Sequence, residues 1–181
     1  KYLRGPRGTG FLYIKRDQIE NLLPPFIDLH AAEWTSEKEY EIRNDARRFE
    51  NWEMNYAGII GLKKAVQYAS DIGINRIWKR VTKLAEKLRW ELAKLPAITV
   101  HDIGEIKGGI VTFTVDSVSA QEVKNYLSKN RINVSTSSKS STLLDMKDRN
   151  LSELVRASVH YYNTENEIDQ FIDALKNMAN Q

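Results

Sequence analysis

Cysteine is absent from the 181 residues, which removes disulfides, thiolate metal sites and cysteine nucleophiles together. Histidine is almost as scarce. His30, His101 and His160 are the only three, none in a spacing that sets two ligands on one helix face, so no metal site is expected. No apolar run is long enough to span a bilayer, and no secretory or transit segment is recognisable. A cytoplasmic location is the expectation. Charge of one sign is lacking too: 27 basic and 24 acidic residues leave a net +3. Nucleic-acid binding needs a concentrated basic face and is not expected. What remains, 41% hydrophobic and 28% charged residues, is the composition of a soluble globular chain. The first residue is a lysine rather than a methionine, and the sequence reads as an excised piece.

Along the chain, the glycine-rich "KYLRGPRGTG" leads into Phe11 to Ile14, an apolar run that predicts a short strand. Arg16 to Leu23 predicts a short helix stopped by Pro24 and Pro25. Thr35 to Asn55 is polar and aperiodic, a long loop of the kind that tends to carry function. Two helices follow. Ile59, Leu62, Val66 and Ala69 recur at helical spacing up to Gly73, and a longer stripe runs from Ile74 through Leu84 and Leu88 to Leu95, before Pro96. Strands are expected over Ile98 to His101, Ile110 to Val115, Ile132 to Thr136 and Leu154 to His160. Ser119 with Glu122, and Thr164 with Glu167, have capping-box spacing ahead of two more helices. The second half therefore reads as a small α/β domain, with helices packed on a mostly antiparallel or mixed sheet.

The opening glycines fail as a phosphate loop, because Gly10 is followed by Phe11 and Leu12 rather than by Lys-Ser/Thr. They also lack the third glycine of a dinucleotide fingerprint. Two readings stay open on composition: a tight turn into a strand, or backbone N–H groups facing an anion beside Arg4 and Arg7. Farther on, Val155, Ala157 and Val159 share one face of their strand, which puts Arg156, Ser158 and His160 on the other. An arginine on a polar sheet face can hold a carboxylate through two parallel hydrogen bonds, or it can pair with a local acid. His160, Tyr161 and Tyr162 invite an acid–base role, but residues at a strand end more often pack. Trp34 and Trp52 could line a pocket, but tryptophans are usually core or interface residues.

"KYLRGPRGTGFLY" resembles the segment around the Schiff-base lysine of class V aminotransferase-like enzymes, which use pyridoxal 5'-phosphate on the fold type I scaffold. That group spans transferases and lyases: aminotransferases, cysteine desulfurases, selenocysteine lyases and isopenicillin N epimerase. "RRFENWEMNYAGIIGL" is similar to the family's Arg-Phe-Glu loop, and "LVRASVHYYNTENEIDQFIDAL" to its C-terminal strand, turn and helix. The resemblance implies that Lys1 binds the cofactor as an internal aldimine and serves as the catalytic base, and that Arg156 binds the substrate carboxylate. It also implies a homodimer with active sites at the subunit interface, acting on an amino acid or related amine. Residues 1–70 would complete the large cofactor domain and 71–181 would form the small C-terminal domain. Much of the cofactor pocket would lie outside these residues, so the piece alone is expected to be inactive.

Two departures narrow this picture. Desulfurases carry a persulfide-forming cysteine on a loop where this chain has "INVSTSSKSSTLLDM", with only serines and threonines. A serine cannot hold a persulfide, which argues against a cysteine-dependent desulfurase and toward the epimerase-like branch. Desulfurases also continue the Arg-Phe-Glu loop with Gly-Thr-Pro-Asn, whose threonine reaches the phosphate of the neighbouring subunit's cofactor. Here Glu53 stands in that stretch, and a carboxylate would repel a phosphate. The leading expectation is a class V aminotransferase-like enzyme. A lyase or epimerase of the same family is the nearest alternative, and a non-enzymatic anion- or partner-binding module the more distant one.

Overall fold

A computed structural model describes residues 2–179 as two compact units that divide after Asp71. In the first unit, strands β1 (Ala32–Trp34) and β2 (Tyr40–Ile42) form an antiparallel hairpin that sets Trp34 opposite Tyr40. A 3-10 turn, Ala46–Phe49, follows, with the Asp45 carboxylate accepting from the Arg47 N–H. Helix α1 (Tyr56–Ile72) then begins with the Asn55 side-chain oxygen accepting from the Gly58 N–H. This cap satisfies one of the donors that a helix start leaves without an intrahelical partner.

Several expectations for this unit need correction. Phe11 to Ile14 is not a strand; Phe11, Leu12 and Tyr13 are 80%, 72% and 77% exposed. A strand is defined by hydrogen bonds to a neighbour, and no described segment runs beside this one. The helix predicted over Arg16 to Leu23 shrinks to the single 3-10 turn Arg16–Gln18, because only Ile19 there is buried and no apolar stripe meets a partner. The supposed loop from Thr35 to Asn55 contains β2 and the 3-10 turn. On α1, the apolar periodicity does not mark a buried face among the described residues, since Ile59 and Val66 are exposed.

Near the start of the second unit, Gly73, with a φ of 96°, separates α1 from α2 (Ile74–Ala93). Its sheet runs β3-β4-β6-β5, all antiparallel, from β3 (Ile98–Val100), β4 (Ile110–Val115), β5 (Ser135–Ser138) and β6 (Glu153–Ser158). One face of the sheet carries Val111, Phe113, Val115, Val155 and Ala157 into a core shared with α2, α3 (Ala120–Lys129) and α5 (Glu165–Ala179). The alternation of β4, with Val111, Phe113 and Val115 buried and Thr112 and Thr114 between them, is the pattern of a sheet covered on one side. Short α4 (Leu143–Asp148) follows β5. Both capping boxes form: Ser119 Oγ accepts from the Glu122 N–H, and Glu167 Oε2 accepts from the Thr164 N–H. The strand expected over Ile132 to Thr136 begins three residues later, at Ser135, and runs to Ser138. Arg131 takes a left-handed conformation that ends α3, and Ile132 bonds back to the Leu127 carbonyl instead of entering the ladder.

Helices α2 and α5 are clasped by Arg80, which holds Glu165 through both guanidinium nitrogens at 2.6 and 2.9 Å. That fork holds the Glu165 carboxyl down at about 2, against an ordinary value of 4.5. A depressed carboxyl pKa contributes stability above the unfolded value that is lost as pH falls through the folded one. Glu165→Gln is therefore expected to flatten the stability curve between pH 4.5 and about 2 and to leave its shape at neutral pH alone. Urea midpoints measured across that range check the outcome.

Candidate active site

The sheet face opposite the core is polar. Cross-strand register places Thr112, Arg156 and Ser135 in one row across β4, β6 and β5. Arg156 is half-buried, and its Nη1 lies 3.5 Å from Ser137 Oγ. No carboxylate lies within 4.0 Å of its guanidinium among the described residues. Other arginines differ: Arg47, Arg80, Arg89 and Arg149 pair with Asp45, Glu165, Asp102 and Asp145. A half-buried cation without a counter-charge is costly unless something anionic joins it. The geometry therefore gives Arg156 the capacity to take up a carboxylate.

Neighbouring groups on this face are already committed. The Thr112 hydroxyl donates to Asp102 Oδ1 at 2.6 Å, and His101 Nε2 lies 2.8 Å from Thr114 Oγ1. Burial, reinforced by the Arg149 charge, pushes the His101 pKa below its usual value, so this imidazole is neutral at pH 7. His160 lies just past β6: its ring stacks on Tyr162 at 4.6 Å, and its backbone N–H donates to Asn163 Oδ1.

Lys1 lies outside the described residues. The segment that follows it lines a groove of about 810 Å³, formed by residues Tyr2 to Phe11 with Leu62. It turns through left-handed Arg4 and Gly8, and Thr9 Oγ1 donates to the Pro6 carbonyl at 2.6 Å. Helix α1 seats this loop closely. A Cβ on Gly61 would meet Pro6 Cγ at 2.5 Å, and one on Gly58 would meet Thr9 Cγ2 at 2.8 Å. Those two glycines leave room for the Pro6 and Thr9 side chains, a reason for glycine that helical propensity opposes. Arg4 lies over the Tyr68 ring, 5.5 Å from its centroid.

The Arg-Phe-Glu stretch closes a second cluster. Glu50 Oε2 lies 3.0 Å from His30 Nε2, and Asp28 accepts from the N–H groups of His30, Ala31 and Trp52. The Trp52 N–H leads the contacts that lower the Asp28 pKa. Arg48 is buried, with its Nε lacking a hydrogen-bond partner among the described residues. Trp34 and Trp52 are exposed and not core residues of this unit.

A family profile described as "Aminotransferase class-V" matches residues 1–171. The chain belongs to that family. A probable cysteine desulfurase of Methanothermobacter thermautotrophicus is 32% identical over 97% of this chain and 44% of its own length. Another from Xylella fastidiosa strain Temecula1 is 31% identical, over 96% and 41%. The apo cysteine desulfurase of Thermococcus onnurineus NA1 superposes with a TM-score of 0.87 at 28% identity, covering 97% of this chain and 44% of that one. The chain thus spans under half the length of the relatives it matches.

The structure also brings together residues that the sequence pattern did not single out. Ser137 beside Arg156, the Asp102–Arg89 pair beneath the row, and the His30–Glu50 contact were not anticipated. "Asp28-Leu-His-Ala" carried a usable signal, since an aspartate accepting from the N–H groups two and three residues on is a common turn device. The other contacts join residues distant in sequence. Among the described residues, no helix is long and apolar enough to cross a membrane.

Proposed function

We propose that this chain is part of a pyridoxal-phosphate-dependent class V enzyme, aminotransferase-like, acting on an amino acid or related amine. Lys1 carries the cofactor and Arg156 grips the substrate α-carboxylate. The observation that supports this reading best is the state of Arg156: half-buried on a polar sheet face, one hydroxyl in reach, and no acid within 4.0 Å among the described residues. A guanidinium in that setting fits a carboxylate in the bidentate manner. The groove after Lys1, rimmed by Arg4, Arg7 and Thr9, has the donor chemistry for an anionic group such as the cofactor's phosphate ester. Residues 1–70 would belong to the large cofactor domain and 71–181 to the small one, in a homodimer.

Pyridoxal phosphate, when bound, supplies an electron sink for bonds at the substrate α-carbon. The Lys1 amine would hold it and would serve as the base for the α-proton. Arg156 would fix the carboxylate and so limit how the substrate's α-carbon can turn. Aminotransfer, β-elimination and epimerisation share this proton step. Whichever follows, it uses no thiol of these 181 residues, since none is present.

Borohydride reduction of the full-length protein with added pyridoxal phosphate, followed by peptide mapping, tests the reading. A pyridoxyl group on the Lys1 peptide is the expected result. Its absence, with the protein folded, would favour the non-enzymatic module.

A further inference from the structure

Arg156 stands between two direct cross-strand neighbours, Thr112 on β4 and Ser135 on β5. The Thr112 hydroxyl is spent on Asp102. The hydroxyl that meets the guanidinium belongs to Ser137, two residues along β5 from Ser135 and so on the same sheet face. Just beyond, the Ser138 and Ser140 hydroxyls bond each other at 2.8 Å, and the Ser141 N–H returns to the Ser138 carbonyl. The turn after the strand is thereby held, and Ser137 sits half-buried at a fixed register position on the edge strand of the sheet.

We infer that Ser137 is a positioning residue: its Oγ accepts from Arg156 Nη1 and steers the guanidinium toward the substrate carboxylate. The inference rests on the reading of Arg156 as the carboxylate clamp. A hydroxyl is suited to this because it is a neutral acceptor. It restrains a side chain rich in rotamers without cancelling the charge that the substrate must meet. A carboxylate in its place would engage the fork itself and compete with the substrate. At 3.5 Å the contact is at the long limit of a hydrogen bond, so it orients the guanidinium and leaves it able to swing onto a ligand.

The test is steady-state kinetics on the full-length protein loaded with pyridoxal phosphate. Substrates are α-amino acids, with matching amines that lack the α-carboxylate followed as substrates or as competitive inhibitors. Ser137→Ala is expected to raise the amino-acid KM about three- to tenfold, the worth of one modest hydrogen bond, with kcat nearly unchanged and the amines unaffected. Ser137→Thr restores KM. Ser137→Asp raises KM as far as Arg156→Ala does, while the melting temperature holds or rises because the new carboxylate pairs with Arg156. A merely structural serine would shift stability and affect both substrate series alike, and that outcome overturns the inference. An unchanged amino-acid KM in both Ser137→Ala and Ser137→Asp overturns it as well, and leaves the clamp standing if Arg156→Ala still raises KM. An unchanged KM in Arg156→Ala removes the clamp and this inference together.

Discussion

Arg156→Ala in the full-length protein is expected to lower kcat/KM for an α-amino acid by a factor of about 30 to several thousand. The figure corresponds to the roughly 2–5 kcal/mol lost when one partner of a buried, hydrogen-bonded charge pair is truncated. The range is wide because Arg156 is only half-buried, and screening at an open site pulls the value toward the lower end. Most of the loss should appear in KM if the carboxylate is held equally in ground and transition states, and in kcat if the clamp also sets the α-C–H geometry. Arg156→Lys keeps the charge and loses the planar fork, so it recovers only part of the loss. An amine without the carboxylate should respond little to either change. A uniform fall for both substrate types would show that Arg156 supports the fold rather than the ligand.

This site was legible in sequence to the extent that it depends on local pattern. Alternation over Val155 to Val159 put Arg156 on the face away from the core, and β6 and the core around Val155 and Ala157 keep it there. The capping boxes at Ser119 and Thr164 were equally readable, since each joins residues three apart. The start of β5 was not. Ile132 and Val134 have the composition of a strand, yet both are spent packing against the core as the chain leaves α3, and the ladder is built from serines. Tertiary burial overrode strand propensity there. The opposite failure occurred at Phe11 to Ile14, where apolar composition met no neighbouring strand among the described residues. Propensity proposes an extended segment; only a hydrogen-bonded partner makes it a strand.

Asp102 was invisible to pattern reasoning for a further reason: it lies in the loop between β3 and β4, and its partners are on α2 and β4. Its carboxylate accepts from Arg89 Nε at 2.6 Å, and from the Thr112 N–H at 2.8 Å and hydroxyl at 2.6 Å. Arg89 in turn donates to the Gly108 and Ile110 carbonyls, so one ion pair ties helix, strand and loop beneath the row that carries Arg156. Both side chains are nearly out of water, 12% exposed for Arg89 and 8% for Asp102. Arg89 Nη1 is buried without a hydrogen-bond partner among the described residues. Asp102→Ala would then leave an uncompensated cation in a dry site, and is expected to cost about 3–5 kcal/mol. A loss that large is a substantial part of a domain's stability, and it should be read as a lower urea midpoint with an unchanged slope. Adding Arg89→Met to Asp102→Ala removes the stranded charge. The double variant should therefore be more stable than Asp102→Ala alone, a sign that separates a buried ion pair from simple loss of packing. Thr112 loses an acceptor for both its N–H and its hydroxyl in either variant, which frees that hydroxyl to turn toward Arg156. A freed Thr112 hydroxyl would compete with Ser137 for the guanidinium, so the amino-acid KM of the folded double variant should shift as well, although neither substituted residue bonds to Arg156.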